Sequence, residues 1–319
     1  MTDGPLLLTG ASGFVGRQVL RALHGRVGLR VMVHETPPEG GAGDDLVTAD
    51  LGDPTTLRGI CGGISTLVHL ASHIGDDAGR CERVNAGGTA ALVAEACAAR
   101  VRRIIYLSNA AVYGYAVHRG VDESSAIVAP ATPISRSRAA AERAVLGAGG
   151  IVIRPLFVYG EGDTRFVPAI VRALQTLPFL IEGGRARVSV IAVSDLGRVI
   201  CALATRDPDG QDAGVFHATD GHPISFRAIA DLLASSVRLR IPRLSVPYPL
   251  GRSLVRLARL GRRWTASDAH RLFLVSRDHF YDSSRVWRTT GLSWPASMSE
   301  QFDACAPWYR STIRSADAA

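Results

Sequence analysis

The sequence predicts an α/β fold: a doubly wound parallel sheet with helices on both faces and a smaller C-terminal lobe. Three observations carry this. Short β-rich runs alternate with helical stretches through the first half of the 319-residue chain, the pattern of a parallel sheet with crossover helices. Runs such as LLL and RIIYL are continuously apolar rather than alternating, as expected when both faces are covered. Past residue 160 the alternation loosens, and from 241 onward Pro, Arg and Trp punctuate the chain before a helical tail.

Taken in order, strands are expected at LLLTG (6–10), RVMVH (30–34), LVTAD (46–50), STLVHLA (65–71), RIIYLS (103–108) and IVIRPLFVYG (151–160). VGRQVLRALHG and NAGGTAALVAEACAA lie between them and read as helices, and PPEGGAGDD (37–45) reads as a surface loop. The later segments read as a helix FVPAIVRALQTL, then RARVSVIAVSDLGRVICALA, a strand GVFHAT and a helix FRAIADLLASSV. The final lobe is expected to close over the carboxyl edge of the sheet, where ligands bind in such folds.

Composition excludes several function classes. Neither a basic leader nor an apolar run of the ~18 residues that span a membrane occurs, so a cytoplasmic protein without a membrane partner is expected. Cys61, Cys81, Cys97, Cys201 and Cys305 are scattered without a CxxC pair and read as reduced, mostly buried thiols. The nine histidines form no ligand set, and no metal site is expected. Net charge is +7, yet no lysine is present and every basic residue is arginine. A Schiff-base lysine, a P-loop lysine and a lysine-assisted proton relay are therefore excluded. The arginines are spread along the chain and aromatics are 6%, which argues against a nucleic-acid partner.

TGASGFVGR (9–17) joins an apolar strand to a helix through Gly10, Gly13 and Gly16. The first glycine permits a tight turn, the second a close approach to a diphosphate, and the third close helix–strand packing. The helix N-terminus then offers unpaired N–H groups to the anion.

From this point the chain resembles the extended short-chain dehydrogenase/reductase family, nearly end to end. Asp50-Leu51, HLAS (69–72), RVNAGGTA around Asn85, LSNAAVYG (107–114), IRPLFVYGEGD (153–163) and YDSSRVWRTTGLSWP match its landmarks in order. The resemblance implies a Rossmann domain over residues 1–165, to which 186–220 return, with 166–185 and 221–319 forming the substrate lobe. It implies a dinucleotide held by Gly10, Ser12, Gly13, Phe14, Val15, Gly16 and Arg17. His34, Asp50, Leu51, Leu70, Ala71, Ser72, Arg138, Pro155 and Leu156 would complete that site. Strand two ends in His34 where NAD users carry an acid, and Arg17 follows the last glycine. This favours NADP(H) over NAD(H), while Glu35 keeps NAD open.

In the family, the resemblance implies, a tyrosine acts as general acid/base, a lysine four residues on lowers its pKa, and a serine or threonine holds the carbonyl. In PATPISRSRAAAER (130–143) Ile134 stands at the tyrosine position and Arg138 at the lysine position, while Ser137 and Glu142 keep the flanking ones. Counting back from VYG, Asn109 occupies the hydroxyl position, with Ser108 just before it. Isoleucine donates no proton, and arginine has no accessible neutral form. Ser108, Asn109 and His73 become the candidates for carbonyl positioning or proton transfer, with Ser135, Tyr113, water and the substrate beside them.

The leading expectation is an NADPH-dependent ketoreductase acting on a polycyclic aromatic polyketide ketone in antibiotic biosynthesis, with a substrate phenol as one source of the proton. In lacking the triad the chain resembles the atypical ketoreductases of aromatic polyketide tailoring, of the angucyclinone (simocyclinone-type) kind. Two other readings stand: a non-catalytic NAD(P)-binding sensor or regulatory module, and a nucleotide-sugar epimerase or dehydratase with relocated groups. Arg252, Arg256, Arg259 and Arg263 share one predicted helix face, with Leu254, Leu257 and Gly261 mostly opposite, and read as a solvated face. Trp264, Trp287, Trp294 and Trp308 read as packing, and Asp122-Glu123 as a surface turn. Oligomeric state is left open.

Overall fold

The computed structural model describes residues 4–38, 45–206, 213–237, 239–258 and 265–317. Seven strands form the central sheet: β1 (Leu6–Thr9), β2 (Leu29–Val33), β3 (Asp45–Thr48), β4 (Thr66–His69), β5 (Arg103–Leu107), β6 (Ile151–Arg154) and β7 (Gly214–His217). Their spatial order is 7-6-5-4-1-2-3, all parallel. The order reverses at β1, so the turns after β1 and β4 open a crevice at the carboxyl edge.

Continuous apolar strands fill both faces. On one, Leu8, Val31, Val68, Ile105 and Ile153 pack on α1 (Phe14–Leu23) and on the later helix Val193–Thr205. On the other, Leu7, Leu67, Ile104 and Val152 meet α2 (Thr89–Ala98) and α3 (Pro133–Gly147). Each side chain is nearly fully withdrawn from water, so the sheet is a two-sided core.

Three expectations are corrected. IVIRPLFVYG is two strands, because Pro155 offers no N–H to continue the ladder. β6 ends at Arg154, and Phe157–Tyr159 pairs instead with Val190–Ala192. The α-helix expected to begin at Asn85 begins at Thr89, and Asn85 lies in a π-helical segment, Cys81–Gly88. The cysteines are all free, but only Cys61 and Cys81 are buried; Cys97 is exposed, and Cys201 and Cys305 are intermediate.

The C-terminal lobe brings α4 (Phe166–Thr176), α5 (Val193–Thr205), α6 (Phe226–Val237), α7 (Tyr248–Ala258), α8 (Ala266–Leu274), α9 (Ser284–Thr290) and α10 (Met298–Asp317). Of these α5 packs beside α1, and α9, expected in the lobe, packs against α5 and β7 through Val286 and Trp287, so both belong with the central sheet. A second sheet gathers four short, distant segments: Ile224–Ser225, Arg187–Val188, His279–Tyr281 and His118–Val121. One apolar core joins Val112 and Tyr113, after β5, to Val167, Ile229, Phe302 and Tyr309. On α7, Arg252 and Arg256 are exposed, but so is Leu257; Gly251, Leu254 and Val255 face inward instead. Arg259, Gly261, Arg263 and Trp264 lie outside the described residues. Among the described residues no helix is long and apolar enough to cross a membrane.

Candidate active site

One cleft of about 1680 Å³ runs along the carboxyl edge of the sheet into the C-terminal lobe. Its first end is the glycine turn. Gly10 has φ +72°, and a Cβ there would sit 2.6 Å from the Ala71 backbone nitrogen. A Cβ on Gly16 would lie 1.9 Å from the Gly10 carbonyl oxygen. These two glycines thus bring β1, the turn after β4 and α1 into direct backbone contact. Gly13 is the N-cap of α1 and brings no side chain to cap it, which leaves the first turn open to an anion.

Every residue assigned to the dinucleotide lines this cleft: Gly10, Ser12 to Arg17, His34, Asp50, Leu51, Leu70 to Ser72, Arg138, Pro155 and Leu156. Arg17 donates from Nη1 to the Ser12 carbonyl at 3.1 Å, which fixes it beside the turn. His34 lies between two carboxylates, its Nε2 3.5 Å from Asp50 Oδ1 and its Nδ1 3.9 Å from Glu35 Oε1. Asp50 Oδ1 also accepts from the Gly52 amide at 2.7 Å. The bare glycine cradle and open helix end fit a dinucleotide diphosphate, and Asp50 and His34 line the same cleft.

The carbonyl end is built by the turns after β4 and β5 and the start of α3. Asn85 holds the β4 turn in place: its Oδ1 accepts from the His73 amide at 2.7 Å, and its Nδ2 donates to the His73 carbonyl at 2.9 Å and to Ser137 Oγ at 3.1 Å. Ser108 Oγ and His73 Nε2 are buried at the cleft wall without a hydrogen-bond partner in the protein. Arg138 Nη2 donates to Ser72 Oγ at 3.1 Å while its Nε has no partner.

The other candidates are tied into the fold. Asn109 caps the turn Ala110–Tyr113: its Oδ1 accepts from Ala111 at 2.8 Å and its Nδ2 donates to the Leu156 carbonyl at 2.9 Å. Ser135 forms the capping box of α3 with Thr132. Tyr113 lies away from the cleft wall. Its hydroxyl meets His217 Nε2 at 2.6 Å and accepts from Arg154 at 2.8 Å, and Arg154 in turn binds Glu142 at 2.8 and 2.6 Å. Burial pushes the Tyr113 phenol up to about 12 and the His217 imidazole down to about 4. Asp122 forms an exposed Asx turn with Ser124 and Ser125, and Glu123 accepts from the His217 amide at 2.8 Å. Trp287 packs in the core of the central sheet, Trp294 lies against it half exposed, Trp308 packs in the lobe beside Tyr309, and none reaches the cleft.

The far end of the cleft escaped sequence reasoning. It is walled by Ile170, Leu174, Phe179, Ile181, Phe226 and Leu272, with Arg165 and Arg271 in the same wall and near Arg138. These residues come from four separate segments, so no local motif announces them. Among the described residues no tyrosine lines the cleft, and no cluster of His, Cys, Asp and Glu could hold a metal ion.

Comparison with known proteins agrees with this geometry. The profile of the "NAD dependent epimerase/dehydratase family" matches residues 6–217. A 4-hydroxy-2-methyl-3-oxo-4-farnesyl-3,4-dihydroquinoline-1-oxide ketoreductase of Stigmatella aurantiaca is 30% identical over 267 residues, 78% of each chain. Among solved structures, the Bordetella bronchiseptica enzyme WbmH in complex with NAD+ superposes with a TM-score of 0.75 at 18% identity, covering 97% of this chain and 99% of its own. RMD from Pseudomonas aeruginosa complexed with NADPH gives 0.69 at 20% identity, covering 97% and 100%.

Proposed function

We infer, from the premise that this chain belongs to the NAD dependent epimerase/dehydratase family, that it is an NADPH-dependent ketoreductase of polycyclic aromatic polyketide ketones whose proton comes from a source other than tyrosine. That it is an oxidoreductase of the short-chain dehydrogenase/reductase superfamily follows from the family and the reductase relative. The observation that carries the finer reading is the cleft itself. A dinucleotide cradle opens directly into an apolar arm, and the junction carries a buried, unpartnered Ser108 hydroxyl but neither tyrosine nor lysine.

When bound, the cofactor supplies a hydride to the carbonyl carbon. The residues of this chain do the rest. Ser108 donates its hydroxyl proton in a hydrogen bond to the carbonyl oxygen as charge grows there, a role that a donor with no other partner is free to take. Ile134 presents an apolar surface at the tyrosine position, suited to a flat ring. Arg138, held by Ser72, keeps a positive charge beside the reacting oxygen. The proton that completes the alcohol comes from a phenol neighbouring the ketone on the substrate, with His73 as the protein group nearest in role. Arg17 and His34 at the adenosine side support NADP(H) over NAD(H).

A nucleotide-sugar epimerase is disfavoured because such chemistry begins by removing a proton from an alcohol, and Ile134 cannot accept it. The test is nicotinamide absorbance over time with NADPH and NADH in parallel and a panel of polycyclic ketones. Oxidation of NADPH at a greater kcat/KM than NADH is expected. Tight cofactor binding with no turnover of any ketone would favour the sensor reading instead.

A further inference from the structure

The junction between the carbonyl end and the apolar arm is unusually cationic for a wall that is otherwise hydrocarbon. Arg138 (α3), Arg165 (the residue before α4) and Arg271 (α8) all line the cleft, and Arg271 and Arg138 lie close enough for their charges to act on Arg165. Among the described residues none of the three forms an ion pair with a carboxylate. Two carboxylates of the wall, Asp163 and Asp268, accept from backbone amides. Asp163 Oδ1 accepts from the Arg165 and Phe166 amides at 2.7 and 2.8 Å. Its Oδ2 accepts from the Val167 amide at 2.8 Å and from the Tyr309 hydroxyl at 3.0 Å. Asp268 closes the capping box of α8 through Thr265. Partial burial, then the neighbouring Arg271 and Arg138, lower the proton affinity of Arg165, and Asp163 offsets this only in part. Like charges gathered beside an apolar wall repel one another until an anion joins them.

We propose that Arg165 and Arg271, with Arg138 shared with the carbonyl end, form a subsite for an ionised oxygen acid on an otherwise apolar substrate. The bound molecule would lay its hydrocarbon against Ile170, Leu174, Phe179 and Phe226 and present a carboxylate, distinct from the proton-donating phenol beside the ketone, to the guanidinium forks. This rests on the ketoreductase reading only in calling that molecule the substrate; the anion preference can be measured without turnover. The planar fork matches an oxyanion in two-point contact, which a neutral ester or ether cannot reproduce.

Binding of 2-naphthoate and of methyl 2-naphthoate to the NADPH-loaded protein, measured by titration calorimetry, tests this. The acid should bind about tenfold or more tightly than the ester. Arg165→Gln and Arg271→Gln should each remove most of that preference while leaving the ester affinity unchanged, and added salt should weaken only the acid. Having both variants keeps the test decisive if one folds poorly. Equal affinity for acid and ester, including no measurable binding of either, would overturn the proposal. So would variants that lower NADPH affinity but keep the acid-to-ester ratio, since the arginines would then serve the cofactor.

Discussion

Replacing Ser108 by alanine separates a functional hydroxyl from a structural one. Ser108 is 1% exposed and its Oγ has no partner. A buried hydroxyl without a hydrogen bond costs about 1–3 kcal/mol in desolvation, and its removal leaves a void smaller than a methyl group. Ser108→Ala should therefore leave stability unchanged or raise it by about 1 kcal/mol, a Tm increase of roughly 2 °C for a chain of this size. Catalysis should move the other way. Loss of one preorganised donor to a developing oxyanion lowers kcat by about 10²–10³. Thr132→Ala is the contrasting case, because Thr132 is the N-cap of α3 and its Oγ1 accepts from the Ser135 amide at 3.1 Å. It should lose about 0.5–2 kcal/mol of stability. Thermal melts with single-turnover NADPH oxidation read both quantities. A lower Tm with unchanged turnover in Ser108→Ala would refute the assignment.

Three other outcomes follow from the same geometry. Gly16→Ala would place a methyl 1.9 Å from the Gly10 carbonyl oxygen; it should abolish NADPH binding, as read by fluorescence titration. Arg154 and Glu142 are 4% and 3% exposed and meet at 2.6 Å, so Arg154→Met should destabilise by about 3–5 kcal/mol in chemical denaturation, with Glu142→Leu restoring much of it. His69, His217 and His279 are held neutral, each lowered to about 4 by burial. Because the unfolded chain binds more protons between that value and 6.5, they subtract stability as pH falls through this window. Asp220, raised to about 6 by burial, acts in the opposite sense as pH falls through 6. Burial lowers His118 and His270 in the same way and raises Glu123 as it does Asp220. Five histidines against two acids predict a net drop in Tm from pH 6.5 to pH 4, and His69→Gln should flatten it.

The central sheet and the glycine turn were legible because their signals are local. Apolar runs, the glycine spacing and the VYG register each lie within a dozen residues, and the positions drawn from them line one cleft. What stayed hidden depends on chain segments far apart. The second sheet is assembled from strands of two to four residues, such as Arg187–Val188 and Ile224–Ser225, too short to show a period. The split at Pro155 was visible in the sequence but outweighed by the apolar residues around it. Asn109 held the right register, yet its amide is engaged at both ends by Ala111 and Leu156. Tyr113 and Glu142 sit within catalytic-looking motifs but belong to a buried network with Arg154 and His217. The arginines at the junction come from α3, the residue before α4, and α8, and only folding places them together.

The measurement that bears most directly on the account is the rate of NADPH oxidation with one polycyclic ketone whose neighbouring phenol is free and with its methyl ether. A substrate-supplied proton predicts turnover with the free phenol and a fall of about 10²–10⁴ on methylation, the usual contribution of a positioned acid. Equal rates with both compounds would contradict it and return the proton to His73, Ser108 or water.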